Sequence, residues 1–256
     1  MRLTKILFIL FFISSLSYSQ DRELSSYRIF NFTSNNGSMP YRMLNPYSKT
    51  DAKIPLFVFL HGSGERGSEN QRQLIHGSKF FLRETEKKEF NCYVLVPQCA
   101  KNHRWSYHKQ DPWINEGDGK EKKVSHYGNL VIELIESLIK EKNIDRDRVY
   151  ISGLSMGGYG TFDLVSHRPD LFAAAAPICG GADLELLNNA VGVPFWIFHG
   201  DSDKVVPVQK SRNAFKFLIK ERDHHKYTEY KGVYHNSWNN VFEEEDYFKW
   251  LFSKSR

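Results

Sequence analysis

Near the middle of the chain, the apolar run Arg148–Ser152 passes directly into Ser152-Gly153-Leu154-Ser155-Met156-Gly157-Gly158-Tyr159-Gly160. The segment contains the spacing Gly-x-Ser-x-Gly. A serine on a tight strand-to-helix turn sits in strained backbone, so the positions flanking it must lack side chains. Such a turn lifts the hydroxyl clear of a sheet and sets a helix N-terminus beneath a negative charge developing on a substrate oxygen. That is the chemistry of acyl transfer through a serine nucleophile. The five-residue pattern alone is a weak signal; its place between an apolar strand and a helix is what makes it strong.

A serine hydroxyl needs a base, and the base needs a carboxylate to orient it. Downstream, Phe195-Trp196-Ile197-Phe198-His199-Gly200-Asp201-Ser202-Asp203-Lys204-Val205-Val206-Pro207 offers Asp201 and Asp203 just past a strand end. Farther on, Lys231-Gly232-Val233-Tyr234-His235-Asn236-Ser237-Trp238 reads as a loop carrying His235. The order Ser, Asp, His is the one used with a nucleophile on a strand–turn–helix elbow. His224 and His225 precede the last strand and read as surface residues. His61 and His199 each precede Gly at a strand end and read as rings that hold loop backbone. Glu65 and Arg66 read as a structural ion pair. Gly157, Gly158 and Gly160 read as close-packing positions, because the Gly-Lys-Ser/Thr ending of a phosphate loop is absent. No Cys-x-x-Cys or His-Glu-x-x-His spacing points to a metal, so none is expected.

These groups must be positioned by regular elements. Ile54–Leu60, Cys92–Pro97, Arg148–Ser152, Phe172–Ile178 and Pro194–His199 are continuous apolar runs, and Lys226–Tyr230 is a shorter one. Strands of this kind belong in parallel sheets covered on both faces. Ser26–Phe32 and Ser38–Leu44 flank Asn35-Asn36-Gly37, a hairpin signal. Tyr127, Leu130, Val131, Leu134, Ile135, Leu138 and Ile139 form a helical stripe, with looser versions over Val208–Leu218 and Val241–Phe252. The alternation predicts an α/β fold: a doubly wound, mostly parallel sheet preceded by an antiparallel hairpin. Only Gly181–Val193 separates the sixth and seventh strands, so a small lid or none is expected. Residues 20–256 read as a single domain.

Charge and composition narrow the classes further. The 35 basic and 30 acidic residues leave +5, spread without a long basic run, which argues against a nucleic-acid partner. With 41% hydrophobic residues, 17 Gly and 9 Pro, the chain is ordinary globular material. Its first residues are different. Arg2 and Lys5 precede the apolar run Ile6–Ile13, and small residues follow to Ser19. This reads as a signal peptide over residues 1–19, with an apolar run too short to span a bilayer and no Cys near the cut to take a lipid. An exported protein with no stable membrane anchor is expected, secreted or periplasmic. An oxidising compartment permits one disulfide among Cys92, Cys99 and Cys179 and leaves the pair open, although Cys92 and Cys179 lie where buried thiols are the plainer reading. The polar segment Lys101–Asp118 carries Trp105, Tyr107, His108 and Trp113. Loops at the carboxyl ends of parallel strands form ligand crevices, so Trp105, Tyr107 and Trp113 either line a substrate pocket or cap the core.

Four segments together resemble the serine-esterase branch of the α/β-hydrolases, close to the dienelactone hydrolase, phospholipase/carboxylesterase and feruloyl esterase groups. They are His61-Gly62-Ser63-Gly64-Glu65-Arg66-Gly67, Gly153-Leu154-Ser155-Met156-Gly157-Gly158, His199–Pro207 and Gly232-Val233-Tyr234-His235. The resemblance implies Ser155 as nucleophile, Asp203 as acid and His235 as base. It implies oxyanion donors at the Met156 and Ser63 backbone N–H groups, with Gly64 as the second choice for the latter. Asp201 is then left to stabilise its turn by local hydrogen bonds. Relatives usually carry Gly directly before the His, where this chain has Tyr234. The implied activity is hydrolysis of a carboxylic ester through an acyl-enzyme, with no cofactor. The implied substrates are short-chain esters or acetyl and feruloyl groups borne on a polysaccharide. An acyltransferase or small serine peptidase on the same fold, and a non-catalytic binding module, are the alternatives.

Overall fold

The computed structural model describes residues 25–48, 50–107 and 123–256. The expected signal peptide, His108 and Trp113 lie outside the described residues. Eight strands form one sheet in the order β1-β2-β4-β3-β5-β6-β7-β8. They are β1 (Tyr27–Ser34), β2 (Gly37–Leu44), β3 (Ile54–Leu60), β4 (Tyr93–Pro97), β5 (Ile144–Leu154), β6 (Ala174–Ile178), β7 (Trp196–Gly200) and β8 (Lys226–Tyr230). β1 and β2 pair as the antiparallel hairpin, and β2 pairs antiparallel with β4. From β4 to β8 every pairing is parallel. All residues of β3 and β6 are buried, as expected of inner parallel strands, whereas only Tyr27 of the outer strand β1 is.

Seven α-helices are found among the described residues: α1 (Ser78–Thr85), α2 (His126–Glu141), α3 (Met156–His167), α4 (Leu184–Leu187), α5 (Gln209–Glu221), α6 (Trp238–Val241) and α7 (Asp246–Phe252). The two-residue period of a strand divides the core between the two faces of the sheet. Leu56, Val58 and Leu60 of β3 pack with apolar side chains of α2, α3 and α5. Phe57 and Phe59 point the other way, into Phe81 of α1 at ring distances of 5.1 and 4.7 Å, and Phe57 also meets Phe248 of α7 at 5.0 Å.

The structure adds α1 and α4, which are too short to show a helical stripe in sequence. It also divides the last predicted helix into α6 and α7, with the acidic run Glu243-Glu244-Glu245 between them. β5 begins at Ile144, four residues before the apolar run, because Ile54 of β3 finds Ile144 across an irregularity in the register. All three cysteines are free and buried.

Candidate active site

The site starts from three glycines that let α3 press on the sheet. A Cβ on Gly157 would stand 2.0 Å from the Leu60 carbonyl oxygen, and one on Gly158 would stand 2.4 Å from that of Ile178. A Cβ on Gly153 would meet the Gly157 carbonyl oxygen at 2.5 Å. No side chain fits at these positions, so the turn between β5 and α3 is forced tight. Ser155 at its apex has φ 53° and ψ −115°, a conformation that costs about 1–3 kcal/mol for a residue with a Cβ. The backbone N–H of Ser155 donates to Ile178 O at 3.0 Å, fixing the apex to the end of β6.

Asp203 and His235 arrive on the loops that follow β7 and β8. These loops touch: Gly200 lies so close to Val233 that a Cβ there would be 2.2 Å from its carbonyl oxygen. His235 Nε2 is 2.9 Å from Ser155 Oγ, and His235 Nδ1 is 2.7 Å from Asp203 Oδ2. Because the carboxylate can only accept, Nδ1 carries the proton and Nε2 is free to take one from the serine. Asp203 Oδ1 accepts backbone N–H bonds from Val205 at 2.8 Å and Val206 at 2.9 Å. Burial pushes this carboxyl towards its neutral form. Donation from His199, His235 and the Val206 N–H outweighs that and holds it well below the usual carboxylate range. It therefore stays anionic opposite His235.

His199 is the partner that sequence reading placed only on loop backbone. Its Nε2 lies 3.2 Å from Asp203 Oδ2 and 3.0 Å from Val206 O, and its Nδ1 lies 2.7 Å from Ser211 Oγ. Two acceptors at Nε2 place a proton there, so this fully buried ring donates to the same Asp203 Oδ2 that faces His235. Asp201 turns elsewhere, accepting from Ser202 Oγ at 2.8 Å and from the Gly232 N–H at 2.7 Å, which ties the two loops together. The positive φ in the His235 loop falls on Gly232, at 73°, and Tyr234 is free to point outward with 58% exposure. The departure at Tyr234 therefore costs the loop nothing.

Met156 is the first residue of α3, and Ser63 opens a 3₁₀ turn, Ser63–Glu65, just beyond β3. Leu60 of β3 pairs with Gly153 of β5, which brings the two turns side by side, and a Cβ on Gly62 would stand 2.8 Å from Leu154 Cδ1. The first N–H groups of a helical turn have no acceptor within it, so both suit an oxyanion. His61 holds this loop: its Nε2 accepts the Cys99 N–H at 3.0 Å and its Nδ1 donates to Gly62 O at 2.6 Å. Burial pushes the ring down to about 4, so it is neutral in this role.

Several expectations are corrected. Trp105 is wholly buried; its indole N–H donates to His61 O at 3.0 Å, and its Cβ would meet a Cβ added at Gly160 at 2.4 Å. It caps the core beneath the site and offers substrate no face. The Tyr107 hydroxyl accepts the His126 N–H at 3.4 Å, at the head of α2. Glu65 faces His76, 3.6 Å away, while Arg66 donates to Ser63 O at 3.0 Å, so the two do not form the expected pair. His225 is buried, and its Nδ1 accepts the Phe195 N–H at 3.2 Å, because the chain turns inward before β8. Cys179 Sγ lies within 4.8 Å of ligand atoms of Asp203 and His235, a spacing that could hold a metal ion. Those two residues already bond each other, however, and burial raises the thiol well above its usual range.

An aromatic neighbour of the base was missed. The Trp238 ring lies edge-on to His235 at 5.6 Å, and the His76 ring lies 5.0 Å from Trp238. A Trp three residues after the candidate base was the available signal, since so short a span of chain keeps the two rings close.

A closely similar solved structure is a thermostable esterase, 36% identical with TM-score 0.83, covering 91% of this chain and 64% of that one. Poly(3-hydroxyalkanoate) depolymerase C of Paucimonas lemoignei is 29% identical over 60% of this chain and 34% of its own length. A bifunctional acetylxylan esterase/xylanase of Neocallimastix patriciarum is 38% identical over 34% of this chain and 13% of its own length. The chain thus spans about a third or less of these two curated relatives. Residues 47–248 match the phospholipase/carboxylesterase family, and with an α/β-hydrolase sheet carrying the serine elbow, the chain belongs to that family.

Proposed function

We propose that the protein is an exported serine carboxylic-ester hydrolase. The observation that carries this reading is the continuous hydrogen-bonded path from Ser155 Oγ through His235 to Asp203, at 2.9 and 2.7 Å. In this reading His235 Nε2 takes the serine proton as Oγ attacks the ester carbonyl carbon. The resulting oxyanion is met by the Met156 and Ser63 N–H groups. Collapse expels the alcohol, which receives the proton from His235. Water, activated by the same ring, then attacks the acyl-enzyme and frees the acid. Asp203, anionic and held by four donors, keeps His235 in the one tautomer that works in both halves.

Short acyl groups, or esters carried on a polysaccharide, suit the small cap over Gly181–Val193, where only α4 and one 3₁₀ turn stand. The names of the acetylxylan esterase and depolymerase relatives fit the same reading. Export rests on the charged, apolar and small-residue order of residues 1–19. Among the described residues no helix is long and apolar enough to cross a membrane. The test is a fluorophosphonate label with peptide mapping, alongside an ester panel of graded acyl length. Label on Ser155, and a fall in kcat of about 10⁶ in Ser155→Ala, are expected. Label on another residue refutes the assignment.

A further inference from the structure

We infer that Glu65, His76 and Trp238 form a subsite that seats a hydroxyl-bearing sugar ring attached to the ester. This rests on the hydrolase reading above and says which side of the reacting carbonyl is recognised, and by what. The three residues come from two separate segments and meet beside the triad. Trp238 lies against both the His235 and the His76 rings, with ring distances of 5.6 and 5.0 Å. His76 Nε2 reaches Glu65 Oε1 at 3.6 Å. Glu65 closes the 3₁₀ turn that Ser63 opens, so the arc runs from the base round to the oxyanion loop.

The chemistry of the arc selects its occupant. Trp238 is half-buried and the His76 side chain is 32% exposed, so part of each ring is open to solvent beside the triad residues. A pyranose ring offers a flat C–H face to such a surface and hydroxyl donors at its edge. Burial favours the neutral form of Glu65, but bonds from His76 and the Gly62 backbone hold its carboxyl below the usual range, so it is an acceptor only. Its side chain is 12% exposed, leaving an accessible edge for a donor. A charge-assisted bond from a sugar hydroxyl completes that carboxylate. A cationic alcohol would compete with His76, which already occupies the same carboxylate. Trp105, one of the aromatics for which the sequence leaves a pocket or a core-capping place open, has no exposed face.

The test compares kcat/KM on three acetates: p-nitrophenyl acetate, an O-acetylated methyl β-xyloside, and acetylcholine. Glu65→Gln, which keeps the shape of the side chain, and His76→Leu are measured beside the wild type, with melting temperatures. The ratio of the xyloside to the p-nitrophenyl value is expected to fall about tenfold in Glu65→Gln, mostly through KM. A ratio within twofold of wild type in both variants overturns the inference. So does a loss confined to acetylcholine, which would make the occupant a cation. A wild type that cleaves none of the three refutes the hydrolase reading instead. The subsite is then read from quenching of tryptophan fluorescence by methyl β-xyloside. Quenching that disappears in Trp238→Phe supports it, and quenching that is absent or survives the change overturns it.

Discussion

Replacing Asp203 by Asn is the sharpest probe of the relay, because four donors surround that carboxylate and the amide can satisfy only some of them. Oδ1 receives two backbone N–H groups, from Val205 and Val206, so the amide oxygen must sit there. The amide NH₂ is thereby forced to the Oδ2 position, facing the ring nitrogens of His235 at 2.7 Å and His199 at 3.2 Å. Both rings donate towards that point in the native protein. His199 can keep its proton on Val206 O, 3.0 Å away. His235 has no second acceptor for Nδ1, so it flips tautomer and accepts from the amide. Its proton then lies on Nε2, aimed at Ser155 Oγ, and the base is lost. A fall in kcat of about 10⁴ follows, the scale seen when the triad aspartate of another serine hydrolase becomes asparagine. Asp201→Asn is the control two residues away. Both of its bonds, from Ser202 Oγ and Gly232 N–H, end on one oxygen that an amide retains. Activity within a few-fold of wild type is therefore expected. Initial rates on p-nitrophenyl acetate, with circular dichroism to show that both variants fold, decide the matter. Equal losses in the two variants, or more than about a hundredth of wild-type kcat surviving in Asp203→Asn, refute the argument.

Other outcomes follow from the same contacts. Gly157→Ala places a Cβ 2.0 Å from Leu60 O, where ordinary contact begins at 3.4 Å, and should cost about 3 kcal/mol, read as a melting temperature about 6–12 °C lower. Trp105→Ala should lower the melting temperature and reduce turnover of all esters alike; a defect confined to aryl or sugar esters would restore the pocket reading. Asp163, on α3, is pushed up to about 8 by burial and then by Asp183. Between the unfolded value near 3.9 and about 8, the folded state keeps a proton that the unfolded state has released, so stability falls as pH rises through that window. Urea unfolding of Asp163→Asn at pH 5 and pH 8 should show a smaller fall than wild type, and parallel slopes would contradict this. Because the cysteines are free, dithiothreitol should leave the melting temperature unchanged.

Most of the sheet was legible because inner parallel strands are apolar without interruption: Ile54–Leu60 and Lys226–Tyr230 were read to the residue, and the others within a few. The hairpin was legible from Asn35-Asn36-Gly37. Ser155, Asp203 and His235 could be proposed together because each falls on a loop that follows a strand, where a loop motif and an apolar run meet. Long-range partners were not legible. Nothing in a sequence says that His199 donates to Asp203, that Trp105 hides under Gly160, or that His76 meets Trp238 across 162 residues of chain. Those depend on how loops from different strands converge, which is a property of the assembled sheet. The His225 error has a simpler cause: polarity suggests a surface, yet the Phe195 N–H required an acceptor at that point.

The backbone contact between α3 and the strands divides the molecule into parts that differ in their freedom to change. At Gly153, Gly157, Gly158 and Gly180 main chain meets main chain, so these positions admit no larger residue and the helix cannot slide. Ser155 is carried on this fixed frame. The segments 62–76, 181–193 and 231–245 lie outside this main-chain contact, and the second of them packs on α3 through the buried side chains of Leu187 and Ala190. Variation in what the crevice accepts has more room in those three segments, and a library built to redirect the enzyme has its useful diversity there, with Ser63, His235 and residues 153–160 left untouched.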